Sequence, residues 1–291
     1  MTVLTLSKHH GLGNDFLVLL DLAGDTPIDA ALARAVCDRH RGLGADGLIR
    51  ATLVPDDGAE ASDSGRAGGT GGPSGEPVAL LTFELRNADG SPAEMSGNGM
   101  RCLAQAALDA GVVPANRPFV VLTPAGPRTV TVRPTEAPGL AWAAVDMGVA
   151  RIEGDSERCN VGHGEVKVDI GNPHLVILGP DPAGVSVGRL GPELESAVPG
   201  GQNVEFVTLG PGPDEITMRV WERGVGETLA CGTGASAAAA AVHHWGRVGR
   251  KVTVHQLGGA ADVELGDDGS VVLSGPSRRV ATCVVDAGLL S

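Results

Sequence analysis

The chain has 291 residues, a formal net charge of −13 and an apolar content of 42%, which suits one large domain or two of about 140 residues. It has no basic stripe of the kind that binds nucleic acid, no apolar run long enough to span a membrane and no signal-peptide core. Five scattered cysteines without a C-x-x-C pair indicate free thiols in the cytoplasm and argue against a structural zinc site.

Alternating and helical patterns predict the elements of the first half in chain order. These are strands at 2–7 and 16–20 around a loop at 9–15, a helix at 27–40, strands at 48–54 and 78–86, a helix that follows a G-x-G turn, and a hairpin at 119–133. Between the third and fourth strands, the Pro-, Gly-, Ser- and Asp-rich residues 55–77 predict a flexible insertion.

The second half repeats this order. It predicts strands near 141–147, 165–170 and 174–178, a helix near 189–197, strands near 204–209 and 215–222, a second G-x-G helix and a terminal β region at 251–285. The predicted fold is therefore α+β, with two pseudo-symmetric β-rich domains that each wrap around a central helix. The predicted domains are 1–133, completed by 279–291, and 134–278.

The two G-x-G turns are the most informative feature of the chain. Ser96–Gly99 and Cys231–Gly234 each place a nucleophile-type side chain before a turn that opens a helix of small residues. Such a helix start has free backbone N–H groups, binds a carboxylate and lowers the pKa of a thiol. Two of them can serve opposite faces of one substrate carbon. We therefore expect Cys231 to be the most reactive thiol, although a lone buried cysteine is more often a core residue.

No side-chain cluster in the sequence indicates a metal, and no phosphate-binding glycine pattern or Schiff-base lysine indicates a cofactor. The expected partner is a small molecule. Seven ordered motifs resemble those of the diaminopimelate epimerase family along nearly the whole chain. They are 10–16 (HGLGNDF), 42–46 (GLGAD), 86–91 (RNADGS), 97–101 (GNGMR), 171–174 (GNPH), 222–224 (ERG) and 230–234 (ACGTG).

The resemblance implies a cytoplasmic homodimer with an active site in the cleft between its domains, and a cofactor-free, two-base epimerisation in lysine and peptidoglycan precursor synthesis. It makes Cys231 one catalytic residue and Ser96 the residue at the position of the other. His174 and Glu222 would tune their pKa values. The implied substrate-binding residues are Asn14, Asn87, Gly97, Asn98, Asn172, Asn203, Glu222, Arg223, Gly232 and Thr233.

Two positions depart from the family. Gly47 stands where the family often has Gln, which removes one substrate contact. Ser96 stands in place of Cys, and a hydroxyl is a far weaker acid than a thiol. Three explanations of Ser96 stay open: a natural residue that transfers a proton directly or through water, an engineered replacement of Cys, or a branch with another substrate or one-sided chemistry.

The function predicted from the sequence is conversion of LL-diaminopimelate to meso-diaminopimelate. One alternative is a related amino-acid racemase or a dehydratase with a Ser/Cys pair, because the helix starts bind only the α-amino-acid end of a substrate. The other is a catalytically impaired form or a non-catalytic amino-acid binder on the same fold.

Overall fold

The structure is a computed structural model that describes residues 3–54, 80–156 and 164–286. Its described first half contains β1 (Leu4–Gly11), β2 (Asn14–Leu20), α1 (Ala30–Cys37), β3 (Gly47–Ala51), β4 (Leu80–Thr82), β5 (Glu84–Asn87), β6 (Pro92–Ala93), α2 (Gly97–Asp109), β7 (Pro118–Thr123), β8 (Gly126–Pro134) and β9 (Leu140–Val149). The predicted insertion at 55–77 lies outside the described residues.

The described second half has the same alternation of strands and helices. It contains β10 (Arg151–Ser156), β11 (Gly164–Asp169), β12 (Pro173–Leu178), a 3₁₀ turn (Pro182–Gly184), α3 (Val187–Glu195), β13 (Asn203–Leu209), β14 (Glu215–Glu222), β15 (Gly226–Thr228), α4 (Gly232–His244), β16 (Lys251–Gln256), β17 (Gly259–Leu265) and β18 (Ser270–Val285).

The two halves share one order of strand pairing. In the first half, β1 and β2 are antiparallel, β2 and β3 are parallel across α1, β3 and β5 are antiparallel, and β4 and β7 are parallel across α2. The second half repeats these four relations around α3 and α4. There β11 and β12 are antiparallel, β12 and β13 are parallel, β13 and β14 are antiparallel, and β14 and β16 are parallel. The predicted duplicated α+β fold is confirmed.

The last strand of each half crosses to the other half. β9 pairs with β8 and β18, and the chain then continues as β10, which pairs with β11. β18 pairs with β17 and β9 over its first part, and with β1 over its last part, where Val285 lies opposite Leu4. The boundaries 1–133 with 279–291 and 134–278 stay a prediction, which this crossing favours.

Helices α2 and α4 form the centre of the two halves. Residues 97–107 of α2 are all buried, and so are residues 234–242 of α4. The alanines of α4 allow the surrounding strands to approach closely, and core residues from both halves form one continuous hydrophobic cluster.

Three predicted boundaries were wrong for local reasons. The helix at 27–40 is shorter, because the Asp29 carboxylate caps its start by accepting the N–H of Leu32 at 2.7 Å, and Asp38 ends it by accepting the N–H groups of His40 and Arg41. The loop at 9–15 is a hairpin turn at Leu12 and Gly13, which both have positive φ. The strand at 78–86 is divided into β4 and β5.

Helices α2 and α4 approach each other at their first residues. A Cβ atom added at Gly232 would lie 3.1 Å from the Gly97 Cα and 2.9 Å from the Leu273 Cδ2. The position of Gly232 therefore favours glycine, because a Cβ atom there would crowd the backbone at the start of α2.

We expect Gly232→Ala to lower the free energy of unfolding by about 1–3 kcal/mol, the usual effect of overpacking. Urea denaturation measures this change. The control is Gly188→Ala in α3, where an added Cβ meets nothing within 4 Å and should stabilise by up to about 1 kcal/mol. Equal stabilities for the two variants would contradict the close approach.

Candidate active site

A cavity of about 590 Å³ opens at the paired starts of α2 and α4. Ten of the predicted site residues line it: Asn14, Asn87, Ser96, Gly97, Asn98, Asn172, Glu222, Cys231, Gly232 and Thr233. The structure thus brings together most of the residues that the sequence predicts for the site, from both halves of the chain.

Ser96 and Cys231 cap their helices in the same way. The Ser96 Oγ accepts a hydrogen bond from the Gly99 N–H at 3.0 Å, and the Cys231 Sγ accepts one from the Gly234 N–H at 3.3 Å. Each residue stands immediately before its helix, so both side chains lie at the positive end of a helix dipole. This arrangement suits the binding of a carboxylate between the two helices.

Two side-chain amides of the first half, Asn14 and Asn98, fix the wall of the cavity next to α2. The Asn98 Nδ2 donates to the Asn14 Oδ1 at 3.1 Å and to the Ala230 carbonyl at 3.0 Å. The Asn14 Nδ2 in turn donates to the Asp46 carboxylate at 2.7 Å. Asn98 therefore links the start of α2 to the residue that precedes Cys231.

A carboxyl group lies next to the thiol on the other wall. The Thr228 hydroxyl donates a short hydrogen bond to Glu222, and the Glu222 carboxyl also contacts the Cys231 thiol. Burial raises the pKa of Glu222 above its usual range, and the bonds from Thr228 and Cys231 offset only part of that rise.

The predicted low pKa of Cys231 is wrong for this structure. Burial raises the pKa of the Cys231 thiol well above its ordinary value, and the nearby carboxylates of Glu222 and Glu205 raise it further. The bonds from the Thr233 hydroxyl and the Gly234 N–H favour the thiolate without reversing this effect. Without a ligand, Cys231 is therefore a protonated thiol at neutral pH.

Glu205 is a site residue that the sequence reasoning missed. Its fully buried side chain accepts a hydrogen bond from the His174 ring, with 2.6 Å between the Glu205 Oε1 and the His174 Nδ1. The His174 Nε2 faces the Asn172 Oδ1 at 3.0 Å. The available signal was the acidic residue between Val204 and Phe206, within a run of buried residues of β13.

The chemical surroundings of the two caps differ. A Cβ atom at Gly234, beside Cys231, would lie 2.8 Å from the Glu205 Oε1, whereas one at Gly99, beside Ser96, would lie 3.1 Å from the Ile49 Cδ1. The parallel pair β12–β13 corresponds to the parallel pair β2–β3 of the first half. His174 lies opposite Asn203 in the first of these pairs, and Phe16 lies opposite Gly47 at the corresponding place in the other. In the matching strands, Ile49 therefore occupies the position of Glu205, and Phe16 occupies the position of His174.

Three predicted site residues do not line the described cavity. His174 lies behind Asn172. The Asn203 Oδ1 accepts the Arg223 N–H at 2.9 Å and its Nδ2 donates to the Pro173 carbonyl at 3.2 Å, so Asn203 joins two loops. The exposed Arg223 guanidinium donates to the Gly200 carbonyl at 3.2 Å.

The missing side chain at Gly47 has a structural reason. A Cβ atom there would lie 2.8 Å from the Arg86 carbonyl and 3.0 Å from the Leu85 Cδ1. A glutamine at this position would therefore require a shift of the neighbouring strand.

The other cysteines lie apart from the cavity or outside the described residues. Cys37 and Cys102 are buried, and desolvation raises the pKa of each thiol to about 12. Cys283 is half-buried, and Cys159 is not among the described residues. Within ranges 3–54, 80–156 and 164–286, no group of three His, Cys, Asp or Glu side chains could hold a metal ion, and no helix is both long and apolar enough to cross a membrane.

We expect Glu205→Gln to lower the pKa of Cys231, because the variant loses one of the two carboxylates that disfavour the thiolate. The rate of Cys231 alkylation by iodoacetamide, followed by peptide mapping across pH, should then rise at a lower pH than in the unaltered protein. Glu264→Gln, on the exposed face of β17, is the matched control and should leave the profile in place. An unshifted Glu205→Gln profile would show that this carboxylate does not act on the thiol.

Comparison with known proteins shows the family to which this chain belongs. The family model described as diaminopimelate epimerase matches residues 6–153 and 166–280. The chain is 41% identical over 293 residues to the diaminopimelate epimerase of Acidothermus cellulolyticus, covering 94% of this chain and 93% of the relative. It is 38% identical over 293 residues to that of Desulfitobacterium hafniense, covering 94% and 95%. A solved phenazine biosynthesis protein from Bacillus anthracis shares the fold, with a TM-score of 0.70 at 13% identity, over 98% of this chain and 100% of that one. The chain belongs to the diaminopimelate epimerase family.

Proposed function

We propose that this protein interconverts LL-diaminopimelate and meso-diaminopimelate by removing the α-proton on one face of the carbon and returning a proton on the other. The observation that carries the proposal is the pair of helix starts on one cavity, with Cys231 capping one and Ser96 capping the other. No cofactor enters this scheme. Relatives named diaminopimelate epimerase match 94% of the chain and support the choice of substrate.

The reacting carboxylate would bind between the two helices. Backbone N–H groups of Gly97, Asn98, Gly232 and Thr233 lie in the first turns, where no partner within the helix exists for them. As the α-proton leaves, negative charge spreads into this carboxylate. Fixed N–H donors and two helix dipoles stabilise that charge more than they stabilise the ground state.

Cys231 is the proposed acid–base group, with Glu222 and the His174–Glu205 pair tuning its pKa. Because the thiol is protonated in the free protein, it is ready to donate a proton. To act as a base it must first lose its own proton, and the Glu222 carboxyl in contact with it is the nearest acceptor. A substrate ammonium bound beside Glu222 would offset the negative charge there and lower the pKa of Cys231.

Ser96 is the less suitable of the two proposed acid–base groups. Its hydroxyl occupies the second acid–base position, and the apolar residues Ile49 and Phe16 occupy the strand positions that match Glu205 and His174 in the other half. Neither neighbour can accept a proton from the hydroxyl. We therefore propose that proton exchange through Cys231 is faster than inversion, which needs Ser96 or a water molecule as the second group.

The remaining polar groups would hold the rest of the substrate. Asn14, Asn87 and Asn172 line the cavity, while Asn203 and Arg223 form the adjoining loop contacts. We propose that Arg223 turns toward the cavity to bind the distal carboxylate. A cytoplasmic homodimer that serves lysine and peptidoglycan precursor synthesis completes the proposal.

The apolar surroundings of Ser96 favour one alternative: a binder, or an enzyme impaired in inversion, that retains the amino-acid site. A related racemase or dehydratase that uses a Ser/Cys pair is a second alternative. Turnover of a defined substrate distinguishes these from the main proposal.

We expect NMR of LL-diaminopimelate in deuterated water to show α-deuterium incorporation that precedes formation of the meso isomer. Ser96→Cys should raise the rate of epimerisation by roughly one to four orders of magnitude, the range that a well-matched acid or base supplies. Cys283→Ser, far from the cavity, is the control for a change between the same two residue types. If Ser96→Cys leaves epimerisation unchanged or slower, serine is the adapted residue and a water relay or another substrate replaces the two-thiol scheme.

We expect Cys231→Ala to reduce α-proton exchange by at least about 10²–10⁴-fold, since it removes the single tuned acid–base group. Binding of meso-diaminopimelate, measured by calorimetry, should persist, because the helix starts remain. Exchange at the unaltered rate in Cys231→Ala would refute the role of this thiol.

A further inference from the structure

Arg101, in the second turn of α2, carries a buried charge that the scheme above does not use. Its side chain is fully buried, and its Nη2 donates a short hydrogen bond to the Asn98 Oδ1. In the described part of the chain its Nε and Nη1 have no hydrogen-bond partner, and no carboxylate forms an ion pair with it. Desolvation lowers the pKa of Arg101 to about 10, so the guanidinium stays protonated at neutral pH.

The strands around this guanidinium leave space for it. A Cβ atom at Gly275 in β18 would lie 1.8 Å from the Arg101 Nη1, and one at Gly11 at the end of β1 would lie 3.1 Å from its Nη2. Glycine on both strands therefore makes room for the charged group. A buried unpaired charge is unfavourable for folding, and an apolar side chain of similar size would avoid that penalty.

Arg101 is hydrogen-bonded to a residue that lines the cavity. Asn98, which accepts from Arg101, is the second residue of α2 and lines the cavity. Its Nδ2 donates to Asn14 and to the Ala230 carbonyl, next to Cys231. The Asn98 amide therefore joins Asn14 and the Ala230 carbonyl through its nitrogen, and the bond from Arg101 to its oxygen fixes which way the amide faces.

We propose that Arg101 is a positioning residue that orients Asn98 and supplies the positive charge for a carboxylate bound between the starts of α2 and α4. The identity of that carboxylate rests on the proposed function, but the electrostatic role does not. When the α C–H bond breaks, the proton passes to the base and the electron pair is delocalised into the carboxylate. That group then carries additional negative charge, which a fixed cation one helical turn away stabilises.

Two alkylating reagents of similar shape test the charge without any turnover. Iodoacetate carries a carboxylate and iodoacetamide a neutral amide, so the ratio of their rates at Cys231 reports the potential where a carboxylate binds. A change in thiol reactivity or packing alters both rates and leaves the ratio in place. Arg101→Met should lower the ratio about tenfold, because it removes one unit of positive charge near the site, whereas Arg101→Lys should keep it within about twofold.

Arg50→Met is the matched control, since Arg50 in β3 is paired with Asp21 at 2.8 Å and does not line the cavity. Its ratio should equal that of the unaltered protein. If Arg101→Met does not fold, Arg101→Gln, which retains a donor for Asn98, takes its place. An unchanged ratio in either folded variant would overturn the proposal. So would a ratio in the unaltered protein no higher than that of free cysteine.

The same variants separate this proposal from the assignment of substrate. If the unaltered protein exchanges no α-proton of diaminopimelate but Arg101→Met still lowers the alkylation ratio, the proposed substrate fails and the role of Arg101 stands. If exchange occurs and the ratio is insensitive to Arg101, the function stands and the role of Arg101 is wrong.

Discussion

The contact between Gly97 and Gly232 is the constraint on which the rest of the site depends. Only residues without side chains allow the starts of two helices to come this close. Because both helices begin there, their unpaired N–H groups and dipoles act on the same small volume. The capping residues Ser96 and Cys231 are thereby brought to one cavity from opposite halves of the chain.

That closeness has an electrostatic consequence that a single helix start would not have. Two positive helix ends favour an anion between them, whereas burial and the carboxylates of Glu222 and Glu205 raise the pKa of the Cys231 thiol beside them. The two helix starts therefore favour a bound carboxylate, while the surroundings of Cys231 favour its protonated thiol.

Duplication gave the two halves the same backbone but different chemistry. The second half carries Glu205, which acts on Cys231, and His174, which is hydrogen-bonded to Glu205, whereas the matching positions of the first half carry Ile49 and Phe16. The carboxyl group and imidazole of the second half therefore have no titratable counterpart at Ile49 and Phe16 in the first half. The two halves therefore differ in the residues around the capping side chains as well as in the capping residues Ser96 and Cys231 themselves.

The sequence predicted the fold and most of the cavity because both depend on local backbone patterns. The G-x-G turns, the small residues after them and the repeated order of strands are visible along the chain, so Ser96, Cys231 and their neighbours could be placed in advance. The pKa of Cys231 could not, since it depends on Glu205, which lies 26 residues earlier and reaches the thiol only through the packing of β13 against α4. The positions of Asn203 and Arg223 likewise depend on how two loops meet.

The crossing of β9–β10 and β18 bears on the origin of the molecule. Each half ends in a strand that completes the sheet of the other half, so neither half has a closed set of strands by itself. A half-length chain with this topology would leave one sheet edge unpaired and would gain a partner for it by exchanging its last strand with a second copy. The present chain has the form of such a strand-exchanged dimer joined into one polypeptide, with different side chains from each half around the shared cavity.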